Sequence, residues 1–194
     1  MKQKNNICKD ISDEELIKKS LINIDYFACV YERYESKLIR YILRISAFSY
    51  EEAEEILQES FIKIWKNING FDQKMKFSSW AYTIVHNETL SHFRKSKSFG
   101  KDLKQNLDYE MFVQLPGSID IESDVHKTFE GEEIHRMLLE IPIKYRDVLV
   151  LKFIEDKSYT EISNILKKPE GTIATLINRA KKYFQEVYKK HNNE

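Results

Sequence analysis

From Phe27 to Ile45 the apolar residues recur at every third or fourth position: Phe27, Val30, Tyr31, Tyr34, Leu38, Tyr41, Ile42 and Ile45. That rhythm matches the 3.6-residue turn of an α-helix and gathers one buried face. It returns along most of the chain. In "EEAEEILQESFIKIWKNI", Ala53, Ile56, Leu57, Ser60, Phe61, Ile64 and Trp65 share one face, while Glu52, Glu55, Glu59 and Lys63 lie largely on the other. The acids come early and the lysines late, which suits the helix dipole. Further apolar-periodic runs extend from Phe77 to a basic tail of Arg94, Lys95 and Lys97, and again from Ile134. Five glycines and three prolines in 194 residues leave little to interrupt such helices, and nothing alternates as a strand would. The expected fold class is all-α.

Start and stop signals divide the runs. Ser12 with Glu15, and Ser158 with Glu161, read as capping boxes. A polar corner at Ala47 to Tyr50 and the stretch "NGFDQKMK" break the first half. Between about Ser98 and Glu133 the pattern fails: Pro116-Gly117 interrupts it, and Asp108, Glu110, Asp120, Glu122, Asp124, Glu130, Glu132 and Glu133 outnumber the nearby lysines. The expected organisation is a helical domain at 1–97, an acidic linker at 98–133 and a small helical domain at 134–194. A chain of this length can bury a core in each of two small domains.

Lys+Arg and Asp+Glu are both 31, and this neutral total still permits a nucleic-acid partner, because local basic density is what a phosphate backbone meets. Cys8 and Cys29 lack the paired spacing of a zinc site, and two cysteines do not make a disulfide scaffold, so both are expected as free thiols in a reducing compartment. No window approaches the roughly 20 apolar residues of a membrane span, so the expectation is a cytoplasmic protein without membrane insertion. No nucleophile, metal or phosphate-loop constellation is present. His86 and His92, six apart, fall on different helix faces and make a poor metal pair. Neither an enzyme activity, a cofactor nor a small-molecule substrate is expected.

The most specific local pattern is "SYTEISNILKKPEGTIATLINRAKKYF". Tyr159, Ile162, Ile165 and Leu166 form the stripe of a two-turn helix that Lys167-Lys168-Pro169 must end. Gly171 and Thr172 open a second helix with Ile173, Leu176, Ile177 and Ala180 inward. Thr172, Thr175, Asn178, Arg179, Lys181 and Lys182 are left outside. This is the plan of a DNA-binding helix-turn-helix, and equally of a plain helical hairpin with a solvated basic end; spacing alone does not choose.

Taken together, the two halves resemble RNA polymerase sigma factors of the sigma-70 family, extracytoplasmic-function (ECF) class. Pro142, Arg146, Val148, Leu151, Ser158, Tyr159, Glu161, Ile162, Glu170, Gly171, Thr172 and Ile173 match the region 4 pattern. Glu52, Ala53, Glu54, Glu55, Gln58, Glu59, Phe61 and Trp65, followed by Phe77, Trp80, Ile84, Val85, Asn87, Leu90, His92, Arg94 and Lys95, are similar to region 2. The resemblance implies a region 2 helical bundle and a region 4 helix-turn-helix joined by the acidic linker. It implies a transcription initiation factor that binds core RNA polymerase, through its beta and beta-prime subunits, and promoter DNA. Glu54, Glu55, Gln58 and Glu59 would dock on polymerase. His86, Asn87, Arg94, Lys95 and Lys97 would take the minus-ten strand, and Thr172, Thr175, Asn178, Arg179, Lys181 and Lys182 the minus-thirty-five duplex. The resemblance also brings an anti-sigma factor into the set of partners. Trp80, on the apolar stripe with Ile84, reads as core.

The chain departs from the family pattern at several positions. Ala174 and Leu176 stand where many relatives carry Lys or Arg, Ser91 where Asp is common, and His86 where Arg is common. Lys167 replaces a frequent glycine, and a positive φ there would strain a lysine. Two alternatives follow: a sigma-like regulator that engages polymerase without reading promoters, and a conventional helix-turn-helix transcription regulator.

Overall fold

The computed structural model describes Cys8 and residues 11–98 and 133–192; the acidic linker therefore lies outside the described residues but for its two ends. Every regular element among the described residues is a helix. The first module holds α1 (Asp13–Ser20), α2 (Asp25–Ile45), α3 (Tyr50–Asn67) and α4 (Phe77–Ser98). Ser12 caps α1 by accepting the Glu15 N–H at 3.2 Å, while the Glu15 carboxylate pairs with Lys19 at 2.9 Å, so half of the expected capping box forms. At α3 a complete box forms between Ser49 and Glu52, inside the corner that the periodicity marks only as polar.

The periodic faces of α2, α3 and α4 converge on a core in which Leu38, Tyr41, Ile42, Ile45, Ile56, Leu57, Ile64, Phe77 and Tyr82 are almost wholly buried. Half-buried Trp80 packs against Phe71 and Phe77, with ring centroids 5.1 and 5.8 Å away. It lies on the apolar side, as its stripe predicts.

One expectation fails here. Cys8 and Cys29 form a disulfide, with Cα atoms 5.7 Å apart, within the range a disulfide spans. The cause is local. Arg33, one turn beyond Cys29 on α2, donates to the Cys8 carbonyl at 2.9 Å and the Ile11 carbonyl at 3.0 Å, and pairs with Asp13 at 2.6 Å. Tyr34 also donates to Asp13. These contacts hold Cys8, Ile11 and Asp13 against α2.

The second module comprises α5 (133–140), α6 (Ile143–Leu149), α7 (Tyr159–Leu166) and α8 (Glu170–Asn192). The run from Ile134, periodic throughout, is cut at Ile141-Pro142, where the residue before proline avoids helical geometry. Helix α6 ends in a π-helical turn, Val150–Ile154, closed by the Glu155 N–H on the Val150 carbonyl at 2.9 Å. Ser158 and Glu161 complete a capping box before α7. Lys167 ends that helix at φ 53° and ψ 47°, the left-handed conformation in which a side chain is strained. Helix α8 is long, and its far end returns to α5 through His191 and Glu140 at 2.6 Å.

Candidate nucleic-acid interface

Helix α3 divides its charge cleanly. With Ala53, Ile56, Leu57, Ser60, Phe61 and Ile64 buried, the neighbouring Glu54, Glu55, Gln58 and Glu59 are all exposed. The four lie within one and a half turns and form an acidic, hydrogen-bonding face. Its edge is tied to α4, where the His92 Nε2 sits 3.0 Å from Glu59, a link that holds the Glu59 carboxyl below its usual range. Lys63 makes a second tie to the buried Glu88. Neither cross-helix pair was legible in the sequence, because partners 33 and 25 residues apart leave no periodic signal.

On α4 the expected residues separate. Asn87, Arg94 and Lys95 are exposed, and Lys97 lies in the last turn, its side chain outside the described residues. His86 does not join them: it is 6% exposed and turned into the protein. Its Nδ1 lies 3.1 Å from the Tyr41 hydroxyl on α2, and its Nε2 3.9 Å from Asp147 on α6. The one-residue step from His86 to Asn87 turns about 100° around the helix, enough to move from interior to surface.

On α8, Thr172, Thr175, Asn178, Arg179 and Lys182 are exposed and share the side opposite Ile173, Ile177 and Ala180. Thr175 spends its hydroxyl on the Gly171 carbonyl at 2.9 Å. Lys181 is exposed but departs from this row; its Nζ sits 5.1 Å over the ring of Phe153. Ala174 and Leu176 are half-buried, so the two places where cations are missing lie at the margins of the outward face.

The two modules meet along α4. Glu155 accepts from Arg44 at 2.7 Å and from the Tyr82 hydroxyl at 2.5 Å. Lys76 reaches Glu161 at 3.0 Å. Thr83 donates to the Asn164 carbonyl at 3.4 Å. The buried Arg146 ties the modules most tightly, donating to the carbonyls of Leu138, Leu139 and Ile141 in its own module and of Ile45, the last residue of α2, at 2.7 to 3.1 Å. Among the described residues no group of His, Cys, Asp and Glu could hold a metal ion. No helix among them is long and apolar enough to cross a membrane.

A helix-turn-helix with a polar outward row, joined to a helical bundle with an acidic face, agrees with what comparison finds. Residues 30–99 match the family model of sigma-70 region 2, and residues 131–183 that of sigma-70 region 4. The chain is 33% identical over 177 residues to the ECF RNA polymerase sigma factor SigW of Bacillus subtilis, across 87% of this chain and 94% of that one. The chain belongs to the ECF class of RNA polymerase sigma factors. A second member, SigM of the same organism, is 24% identical over 168 residues, covering 85% of the sigma factor described here and 96% of its own length. Among solved structures, CnrH in complex with the cytosolic domain of CnrY matches with a TM-score of 0.64 at 16% identity, over 90% of this chain and 95% of that one. RpoE in complex with the anti-sigma factor NepR, from Bartonella quintana, matches at 0.62 and 20%, over 84% and 96%. At these identities the structural likeness is one of fold. The sigma factor is thus a promoter-directing transcription initiation factor built from region 2 and region 4.

Proposed function

We propose that this chain docks on core RNA polymerase through Glu54, Glu55, Gln58 and Glu59, takes the melted minus-ten strand with Asn87, Arg94, Lys95 and Lys97, and reads the minus-thirty-five duplex with the outward row of α8. The observation that carries this reading is that one chain presents three separate polar faces, on α3, α4 and α8, none of which its own core consumes. An acidic face suits a basic partner surface, where electrostatics contributes mainly specificity and on-rate. Exposed cations near the end of α4 and the exposed amide of Asn87 at its middle suit unpaired bases and their phosphates. Thr172, Asn178, Arg179 and Lys182 supply hydrogen-bond donors and charge at a groove. His86, buried against Tyr41, belongs to the protein interior in this arrangement, and Lys181 to the margin of the α8 row.

Catalysis belongs to the polymerase in this reading; the chain positions and opens DNA and carries no reaction of its own. Its place is the cytoplasm, with core polymerase and promoter DNA as partners. An anti-sigma factor is a further proposed partner, supported by the two structural neighbours, both captured in complexes. Run-off transcription tests the reading: core polymerase should start at defined promoters only when this protein is added. Asn87→Ala should impair opening more than core binding, and Glu55→Lys with Glu59→Lys the reverse. Ala174 and Leu176 favour a second reading, a regulator that holds polymerase without reading promoters; tight core binding with no specific start across a genomic template library would select it.

A further inference from the structure

Tyr41, His86 and Asp147 form a polar seam where region 2 meets region 4. Asp147 is 5% exposed; its Oδ1 has no hydrogen-bond partner, and its Oδ2 stands 3.9 Å from His86 Nε2, beyond hydrogen-bond reach. The cations around it are engaged elsewhere. Arg146, its neighbour on α6, spends its N–H groups on four carbonyls, and Arg44 from α2 is held by Glu155. Lys168, after α7, acts on His86, and the buried His135 of α5 faces Arg146 and Arg44. From α2 the Tyr41 hydroxyl faces the His86 Nδ1, and burial raises that hydroxyl so that it keeps its proton. A carboxylate anion in this place would be a buried charge without donors, which is strongly disfavoured; a protonated carboxyl is not.

We propose that this seam is a proton-coupled latch: the closed form holds a proton on the Asp147 carboxyl that the open form releases, so rising pH favours separation of the two modules. The latch itself rests on the seam geometry. Its regulatory meaning rests on the function proposed above, because a chain with α4 packed on α7 cannot span two promoter elements about 25 base pairs apart, or ~85 Å at ~3.4 Å per pair. Separated modules are not held to that limit.

The pH window follows from Asp147 and the histidines that oppose it. Burial pushes the Asp147 carboxyl up to about 8 against the pull of Arg146. This group favours closure at low pH, and the effect is lost as pH rises toward 8. Burial, with Lys168 adding to it, pushes the His86 imidazole down to about 4 from 6.5. Its contribution to closure is present above 6.5 and lost as pH falls below that. Below 6.5 His86 opposes Asp147, joined by His135 of α5, whose imidazole burial also lowers to about 4, so the closed-to-open ratio does not fall there; between 6.5 and 8 only Asp147 differs, and the ratio falls about tenfold per pH unit.

The test uses the full chain alone, with dyes carried by unnatural amino acids at the exposed positions Asn69 and Glu186, and reads energy transfer from pH 5 to 8.5. The wild type should not open as pH rises to 6.5 and should open steeply above it. Asp147→Asn should abolish the opening slope above 6.5, and replacing His86 and His135 together by Gln should extend that slope below 6.5. A separation independent of pH above 6.5, or an opening slope above 6.5 that survives Asp147→Asn, overturns the latch. Infrared titration of the wild type gives an independent reading that needs no folded variant: a protonated carboxyl band persisting at pH 7 supports the proposal, and its absence refutes it. Because no polymerase is present, failure here leaves the transcription reading intact, and failure of run-off transcription leaves the latch to stand or fall alone.

Discussion

Region 2 and region 4 are held together by different means. Region 2 packs four helices around a large core rich in aromatic rings, with Tyr41, Phe77 and Tyr82 almost wholly buried. Region 4 has a smaller core, and Arg146 at its centre joins helix ends through backbone carbonyls, one of them borrowed from α2. A module whose central tie reaches into its neighbour draws part of its order from that neighbour. Region 2 reaches its neighbour through the side chains of Arg44, Tyr82 and Thr83, none of which joins its own helix ends. Opening the chain should therefore loosen region 4 while leaving region 2 intact.

Substitutions can break this contrast, beginning with the largest effect. Arg146→Met should destabilise region 4 by at least about 3 kcal/mol, since each buried carbonyl left without a donor costs roughly 1 to 3 kcal/mol. Amide hydrogen exchange should quicken in α5 to α7 while α2 and α3 stay protected; equal quickening in α3 would contradict the asymmetry. Next, reducing the Cys8–Cys29 disulfide, or Cys8→Ser, should cost region 2 about 3 kcal/mol for a loop of this size, read as a lowered unfolding midpoint with region 4 exchange unchanged.

The capping boxes sharpen the comparison further. Ser49→Ala and Ser158→Ala should each cost about 1 kcal/mol by denaturant unfolding. Only the second box is bridged to the other module. Burial pushes the Glu161 carboxyl up, but the backbone N–H and hydroxyl of Ser158, with Lys76, outweigh it and hold it at about 2. Because that value is depressed, its contribution is complete above the usual 4.5 and lost as pH falls through about 2. Acid titration should release α7 from α4, and Lys76→Ala should bring that release to higher pH. The smallest effect is a gain: Lys167→Gly should stabilise region 4 by about 0.5 kcal/mol, because glycine occupies the left-handed corner without the strain a side chain meets there.

Much of this architecture was legible in the residues. The spacing of Phe27 to Ile45 and of Ala53 to Trp65 marks buried helical faces because periodicity reports the environment of each helix directly, and Ser158 with Glu161 marks a helix start because the cap is local. The positive φ at Lys167 was legible only through the resemblance, as a lysine where relatives often carry glycine. Contacts between distant segments left no such trace. Tyr41, His86 and Asp147 are drawn from three helices, so His86 reads as part of a surface pocket until its partners are known. The disulfide was hidden likewise: a separation of 21 residues resembles no motif, and the Arg33 bond that holds Cys8 to α2 joins segments the sequence leaves apart. Lys181 is exposed, as its place on the outer side implies, and only its contact with Phe153 was not legible.

The most direct measurement is the distance between α3 and α8 in the intact chain, read by energy transfer first alone and then with core polymerase on promoter DNA. The account predicts a short separation for the free protein and one approaching the spacing of two promoter elements in the complex. An unchanged short separation in a transcribing complex would contradict it.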